Sequence, residues 1–220
     1  SLMTFLGMIS FYFFIRLLKE RKNKWLIYYI LATTLLAYTH YYGLFLILAQ
    51  NLFYFIELVK YQAKSCLKLS RWFFIQISIL ILYLPWIRIL FRQASKVSQD
   101  YWIKEPTFNS IFLTLKYFSG SDVLMIGFFI LLTLLILVTI INQRGGPNKV
   151  KNKRGIQLLI IWLAVITLVP FLTSKLTTPI FQSKYVIHAL PAFLLLIAVA
   201  INELKLRFLE YLVIILLIFF

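Results

Sequence analysis

The sequence predicts an all-α fold, a polytopic bundle of about seven or eight transmembrane helices. Three observations carry that prediction. First, 62% of the 220 residues are hydrophobic and only 14% are charged, where an ordinary soluble domain carries about 25% charged residues. A soluble chain of this size could not bury so much apolar surface. Second, apolar runs of membrane-crossing length recur along the chain. Third, the basic residues lie in short clusters between those runs, the pattern that sets membrane topology.

The apolar runs place helices over 2–18, 25–39, 43–59, 72–91, 122–142, 156–173, 185–201 and 208–220. The first ends at a charged stretch, Lys19 to Lys24. The second and third are separated only by the hairpin around His40, where Gly43 permits a tight turn. The fourth stops ahead of Arg92. From there an outer loop runs over 92–121, polar in its first half. Its second half, Ile111 to Phe118, has apolar residues at helical spacing with Lys116 on the other face, as in an interfacial amphipathic helix. Tyr101 and Trp102 suit the headgroup level. Gly145-Gly146-Pro147-Asn148 is a turn before the sixth helix. Pro191 is expected to kink the seventh helix. The chain opens on Ser1 and its last apolar run stops at Phe220. The expectation is a single transmembrane domain over 1–220, truncated at both ends.

Lys19, Arg21, Lys22 and Lys24 form one basic loop, and Lys60, Lys64, Lys68 and Arg71 a second. Arg144, Lys149, Lys151, Lys153 and Arg154 form a third, and Lys205 with Arg207 a fourth. They alternate with the poorer loops 40–42, 92–121 and 174–184. The positive-inside rule places the four basic loops in the cytoplasm and the poorer ones outside. The net charge of +16 is thus spent on topology, and nucleic acid is not expected as a partner because no cluster sits on a soluble unit. The one cysteine, Cys66, lies in a basic loop; it allows no internal disulfide and reads as a free thiol, with palmitoylation the alternative. The chain has no metal-ligand motif, P-loop or dinucleotide fingerprint, so no metal or cofactor is expected. The acids Glu57 and Glu210 lie near helix ends, not mid-membrane as a proton-coupled transporter would favour.

Polar residues concentrate at the outer loops. The stretch "AYTHYYGLF", residues 37–45, holds His40, Tyr41 and Tyr42. The tyrosines suit interfacial anchors. His40 is either a satisfied interfacial histidine or a ligand for a phosphate or a sugar hydroxyl. In "QSKYVIHALP", residues 182–191, Lys184 and His188 stand at i and i+4 and are expected on one helical face. Lys184 either binds a lipid phosphate or snorkels. Arg88 and Arg92 follow Pro85-Trp86 at an outer helix end, against the charge bias, and fit an anionic ligand or anionic headgroups. Asp100 and Glu105 flank Trp102, and either they orient a substrate hydroxyl or Lys104, or they are solvated loop charges.

Three stretches resemble glycosyltransferase family 39, the dolichyl-phosphate-mannose–protein mannosyltransferase-like group of the glycosyltransferase C superfamily. They are "WLIYYILATTLLAYTHYYGLFLILAQNLFYF" (25–55), "LPWIRILFRQASKVSQDYWI" (84–103) and "FQSKYVIHALPAFLLLIAVAI" (181–201). The resemblance covers nearly the whole chain. It implies a glycosyltransferase C-like bundle in the plasma membrane of a prokaryote. The implied activity transfers a hexose or pentose from a polyprenyl-phosphate carrier to a protein, lipid or glycan acceptor on the outer face. His40 matches a basic position at an outer helix end, and Lys184 matches the cation facing the lipid-linked phosphate. Tyr185, His188, Arg88 and Arg92 complete the implied donor site, with Tyr41, Tyr42, Trp102, Lys104 and Glu105 lining the substrate loop. The family's catalytic acid lies in a first outer loop. It is expected upstream of Ser1, so the chain by itself is expected to be inactive.

Two other classes compete. A transporter or flippase for a lipid-linked or anionic substrate would use the outer cations as a first docking point and would show internal repeats. A non-catalytic scaffold or polymerase subunit would not depend on His40 or Lys184. The topology itself is testable through the sole cysteine. A membrane-impermeant maleimide should leave Cys66 unlabelled in intact cells and label it after permeabilisation. Labelling in intact cells would invert the assignment.

Overall fold

The computed structural model describes residues 1–60, 67–99, 104–141 and 153–203. Among them every regular element is helical. The helices are α1 (Leu2–Glu20), α2 (Asn23–Thr39), α3 (Gly43–Lys60), α4 (Leu69–Gln99), α5 (Phe108–Ser119), α6 (Asp122–Ile141), α7 (Lys153–Leu176) and α8 (Leu190–Glu203). Five segments are long and apolar enough to cross a membrane: α1, α3, Leu69–Leu90 of α4, α7, and Val186–Glu203. A sixth results if α5 and α6, bent by 98° at their junction, form one broken span. The fold is that of an integral multi-pass membrane protein.

Among the described residues five or six segments thus qualify by length and apolarity, against the seven or eight helices expected over the whole chain. At 17 residues, α2 is about 26 Å long, at the lower limit for a span, and it runs from the basic end of the bundle to the opposite one. The expected last helix, 208–220, lies outside the described residues, as do Cys66, Asp100, Tyr101, Trp102, Lys205 and Arg207. Two boundaries also change. The fourth helix continues to Gln99, so residues 92–99 of the expected outer loop are helical. Residues 91–99 contain neither Gly nor Pro, and helices persist through polar sequence that offers no breaker. The expected helix 185–201 opens instead with a 3-10 turn, Val186–Ala189, before α8. Pro191 is the reason. In a continuous α-helix its N–H would bond to the Ile187 carbonyl, and proline has none. The Leu190 N–H takes that carbonyl in its place, an i to i+3 bond that tightens the turn. Pro191 thus sits in the first turn of α8, where proline is tolerated, and kinks no helix interior.

Packing follows from polar groups that lipid cannot satisfy. Ser10 of α1, Thr33 and Tyr29 of α2 and Gln50 of α3 are all fully buried. Ser10 Oγ lies 2.8 Å from Thr33 Oγ1 and accepts from Gln50 Nε2 at 2.9 Å. The Tyr29 hydroxyl donates to Gln50 Oε1 at 2.9 Å. Asn51 extends the polar layer to α4, donating to Gln76 Oε1 and accepting from Trp72 Nε1. Trp72 is stacked between Tyr29 and Tyr54, with ring centroids 6.0 and 4.3 Å away. Phe11 of α1 lies flat on Trp162 of α7 at 3.9 Å. α3 packs on α7, α7 on α8 and α8 on α6, while α4 packs on α2.

The inter-loop contacts fall into two sets at opposite helix ends. At the basic end Arg154 pairs with Glu57 at 2.6 Å, Lys60 donates to Gln157 at 2.9 Å, and Arg71 donates to the Arg21 carbonyl at 2.8 Å. At the other end Tyr42 bonds to Ile180, Lys175 pairs with Glu105, and Thr114 meets Ser183. This segregation agrees with the alternation of basic and poor loops. Gln50 joins three helices, so Gln50→Leu should orphan the Tyr29 hydroxyl and cost about 1–2 kcal/mol. Unfolding in mixed detergent micelles measures the change; unaltered stability would show that the layer is not structural.

Candidate functional site: an aromatic rim

The site begins with the close approach of α2 and α3. A Cβ on Gly43 would lie 2.8 Å from the Leu36 carbonyl oxygen, so only glycine lets the helices converge here. The turn is closed by the Gly43 N–H on the His40 carbonyl at 2.8 Å and the Leu44 N–H on the Tyr41 carbonyl at 3.1 Å. His40 has extended backbone at the end of α2, and its Nδ1 accepts the Tyr42 N–H at 3.2 Å. That bond requires a lone pair on Nδ1, so the ring proton resides on Nε2.

The facing half is set by Ser174, buried near the end of α7. Its hydroxyl donates to the Pro170 carbonyl at 2.7 Å and accepts the N–H groups of Ile180 and Phe181, each at 2.8 Å. One side chain thereby folds the segment after α7 back across the helix end. The Ile180 carbonyl is left facing Tyr42, whose hydroxyl donates to it at 2.7 Å. Downstream, the Tyr185 N–H bonds to the Gln182 carbonyl at 2.9 Å, and Ser183 Oγ lies 2.8 Å from Thr114 Oγ1 of α5. Since Thr114 donates to the Ser110 carbonyl, Ser183 is the donor in that pair.

These bonds assemble five rings. Tyr41 stacks on His40 at 4.3 Å, and Tyr185 lies 5.0 Å from His40 and 5.6 Å from Tyr42. His188 meets Tyr42 edge-on at 5.8 Å. It is 1% exposed, and among the described residues neither ring nitrogen has a hydrogen-bond partner, though the Tyr185 carbonyl lies nearby. Its backbone is anchored, the Trp162 indole N–H donating to the His188 carbonyl at 3.2 Å. The Lys184 ammonium lies 5.1 Å over the Tyr185 ring.

Burial sets the charge of the hairpin. It lowers the pKa of His40 below its ordinary value, so the imidazole is neutral at physiological pH. Burial, with Tyr185 nearby, pushes the Tyr41 phenol up to about 12, and burial raises Tyr42 as well. The cluster therefore offers aromatic faces and neutral hydrogen-bonding groups, with one cation at its edge.

Of the residues expected at a site, His40, Tyr41, Tyr42, Tyr185 and His188 come together, with Lys184 beside them. Lys184 and His188 do not share a helical face as expected. Lys184 is exposed in a turn and His188 is buried in the 3-10 turn, whose tighter winding changes the i to i+4 relation. Arg88 and Arg92 are exposed on α4, which packs on α2, and neither is placed against the five rings. Lys104 is exposed, and Glu105 pairs with Lys175 at 2.7 Å rather than with Lys104. Trp102 lies outside the described residues. Ser174, Thr114 and Ser183 position the rim and were not anticipated. A faint signal exists for Ser174, which stands one turn beyond Pro170 in an apolar helix. Among the described residues no group of three or more His, Cys, Asp or Glu side chains could hold a metal.

No protein-family model, curated protein or solved structure matches this chain.

The lowered His40 pKa has a sign. The folded state binds the proton less readily than the unfolded chain, so the hairpin keeps its full stability above the ordinary histidine value of 6.5. It loses that stability as pH falls through the lowered folded value. Histidine-selective NMR should show His40 as the Nε2–H tautomer, titrating below 6.5. A midpoint at or above that value would contradict the buried geometry.

Proposed function

We propose that this chain belongs to a membrane glycosyltransferase that moves a hexosyl or pentosyl group from a polyprenyl-phosphate carrier to a protein, lipid or glycan acceptor. The reaction would take place on the outer face of a prokaryotic plasma membrane. One observation carries the reading. The segments holding His40-Tyr41-Tyr42 and Lys184-Tyr185-His188 are far apart in the chain, and both are implicated by the family 39 resemblance. They meet at one rim, at the end of the bundle opposite the basic loops.

In the proposed reaction an acceptor hydroxyl oxygen bonds to the anomeric carbon as the bond from that carbon to the phosphate oxygen breaks. The acceptor proton passes to a carboxylate, which the resemblance assigns to a loop upstream of Ser1. Polyprenyl phosphate departs with the bonding electrons. Lys184, a point charge at the rim, offsets the charge that develops on the leaving phosphate. Neutral His40 offers its Nε2–H to the polar groups of the bound donor without adding a second cation.

The test is transfer of radiolabelled sugar from polyprenyl-phosphate donors by the full-length gene product in native-like membranes. Lys184→Ala should lower kcat/KM by about 100-fold and His40→Ala by about tenfold, with insertion unchanged. Undiminished turnover in both variants would remove the site assignment. Labelled lipid crossing the membrane without covalent transfer would replace the reading with the transporter class.

A further inference from the structure

The five-ring cluster is more than a cation needs. A phosphate site wants converging charge and N–H donors, yet among the described residues only Lys184 is placed against these rings as a cation. The three half-buried rings, His40, Tyr41 and Tyr185, present aromatic surface together with three polar groups, His40 Nε2 and the Tyr41 and Tyr185 hydroxyls. None of these three bonds to the protein among the described residues. Beneath them Tyr42 is immobilised by its bond to Ile180, and His188 is buried with both ring nitrogens unpartnered.

We infer that the half-buried rings of His40, Tyr41 and Tyr185 seat the sugar ring of the donor, and that Lys184 alone takes the phosphate. The inference rests on the reading of the chain as a lipid-linked-sugar transferase and divides that site into two parts. The chemistry matches. A pyranose or furanose has a face of C–H groups that complements the negative face of an aromatic ring. Its hydroxyls need neutral donors and acceptors, which His40 Nε2 and the two phenols supply as contacts secondary to the stacking. The two parts are coupled through Tyr185. The Lys184 ammonium covers one face of that ring at 5.1 Å.

The chain contains two histidines, and both lie in this cluster, which makes histidine-labelled protein a local reporter. Full-length protein in lipid nanodiscs is titrated with polyprenyl phosphates carrying mannose, glucose, galactose or arabinose, each against bare polyprenyl phosphate. At least one glycosylated lipid should bind more tightly than the bare one and move the His40 resonance, which the bare lipid leaves in place. Tyr41→Leu and Tyr185→Leu should each reduce the preference by about fivefold to tenfold. Tyr41→Phe and Tyr185→Phe, which keep the ring, should retain most of it and show that the fold is intact. Lys184→Gln should weaken both lipids alike. If bare and glycosylated lipids bind equally and shift His40 equally, the sugar seat is overturned while the donor reading stands. If the Phe variants lose as much preference as the Leu variants, stacking is overturned. If no polyprenyl phosphate binds, the transferase reading falls and the inference with it.

Discussion

Tyr42 is fully buried, and a phenol taken out of water needs an acceptor inside the protein. It finds the Ile180 carbonyl, 138 residues along the chain. That bond ties the α2–α3 hairpin to the segment joining α7 and α8, and the arrangement of the rim follows from it. Gly43 is required because the hairpin must be tight enough to aim the phenol inward. Ser174 is required because Ile180 must turn its carbonyl toward α3. His40 and Tyr185 then meet across the two segments, each held by a backbone bond to its own turn. A chain that broke the Tyr42 bond would keep its helices and lose the relation between the two halves of the site.

The rest of the bundle obeys the same rule in a drier setting. Lipid offers no hydrogen bonds, so polar groups among the spans are driven to partners on another helix or on their own backbone, with the Thr34 hydroxyl, the Tyr83 hydroxyl and the His188 ring as exceptions among the described residues. Ser10, Thr33, Gln50 and Tyr29 satisfy one another, and Asn51 carries the layer on to Trp72 and Gln76. Thr167 and Thr173 turn back to the carbonyls one turn earlier. Aromatic stacking fills the space between these bonds with rigid surface. The polar layer fixes which helices are neighbours, and the rings fix how closely they lie.

Composition and period made most of the helices legible. The boundaries of α2, α3 and α6 follow the apolar runs closely, because each run is bounded by charge, glycine or a polar turn. The end of α4 was not legible from apolarity, since residues 91–99 are polar yet contain nothing that stops a helix. The start of α8 is not legible from apolarity either, because Pro191 looks like a kink within a longer helix. Its missing N–H acts one turn earlier, on the Ile187 carbonyl. The members of the candidate site were largely legible, through a topology that put two polar stretches on one side. Their contacts were not. Tyr42 bonds to a backbone carbonyl, and a carbonyl has no sequence signature. Glu105 has Lys104 beside it in sequence, yet the structure pairs it with Lys175, 70 residues away.

The ion pair between Glu57 and Arg154 has a consequence for how the protein is made. Glu57 is 4% exposed near the end of α3, and its counter-ion comes from the first turn of α7. The neighbouring bond from Lys60 to Gln157 spans 97 residues. Synthesis runs from the N-terminus, so α3 leaves the ribosome well before α7 exists. A carboxylate alone in hydrocarbon is costly. During that interval Glu57 must stay at the aqueous edge, and it can be drawn under cover only when Arg154 arrives. The contact is therefore a late event of biogenesis, closing the basic end of the bundle after α4 to α6 have already been laid into the membrane.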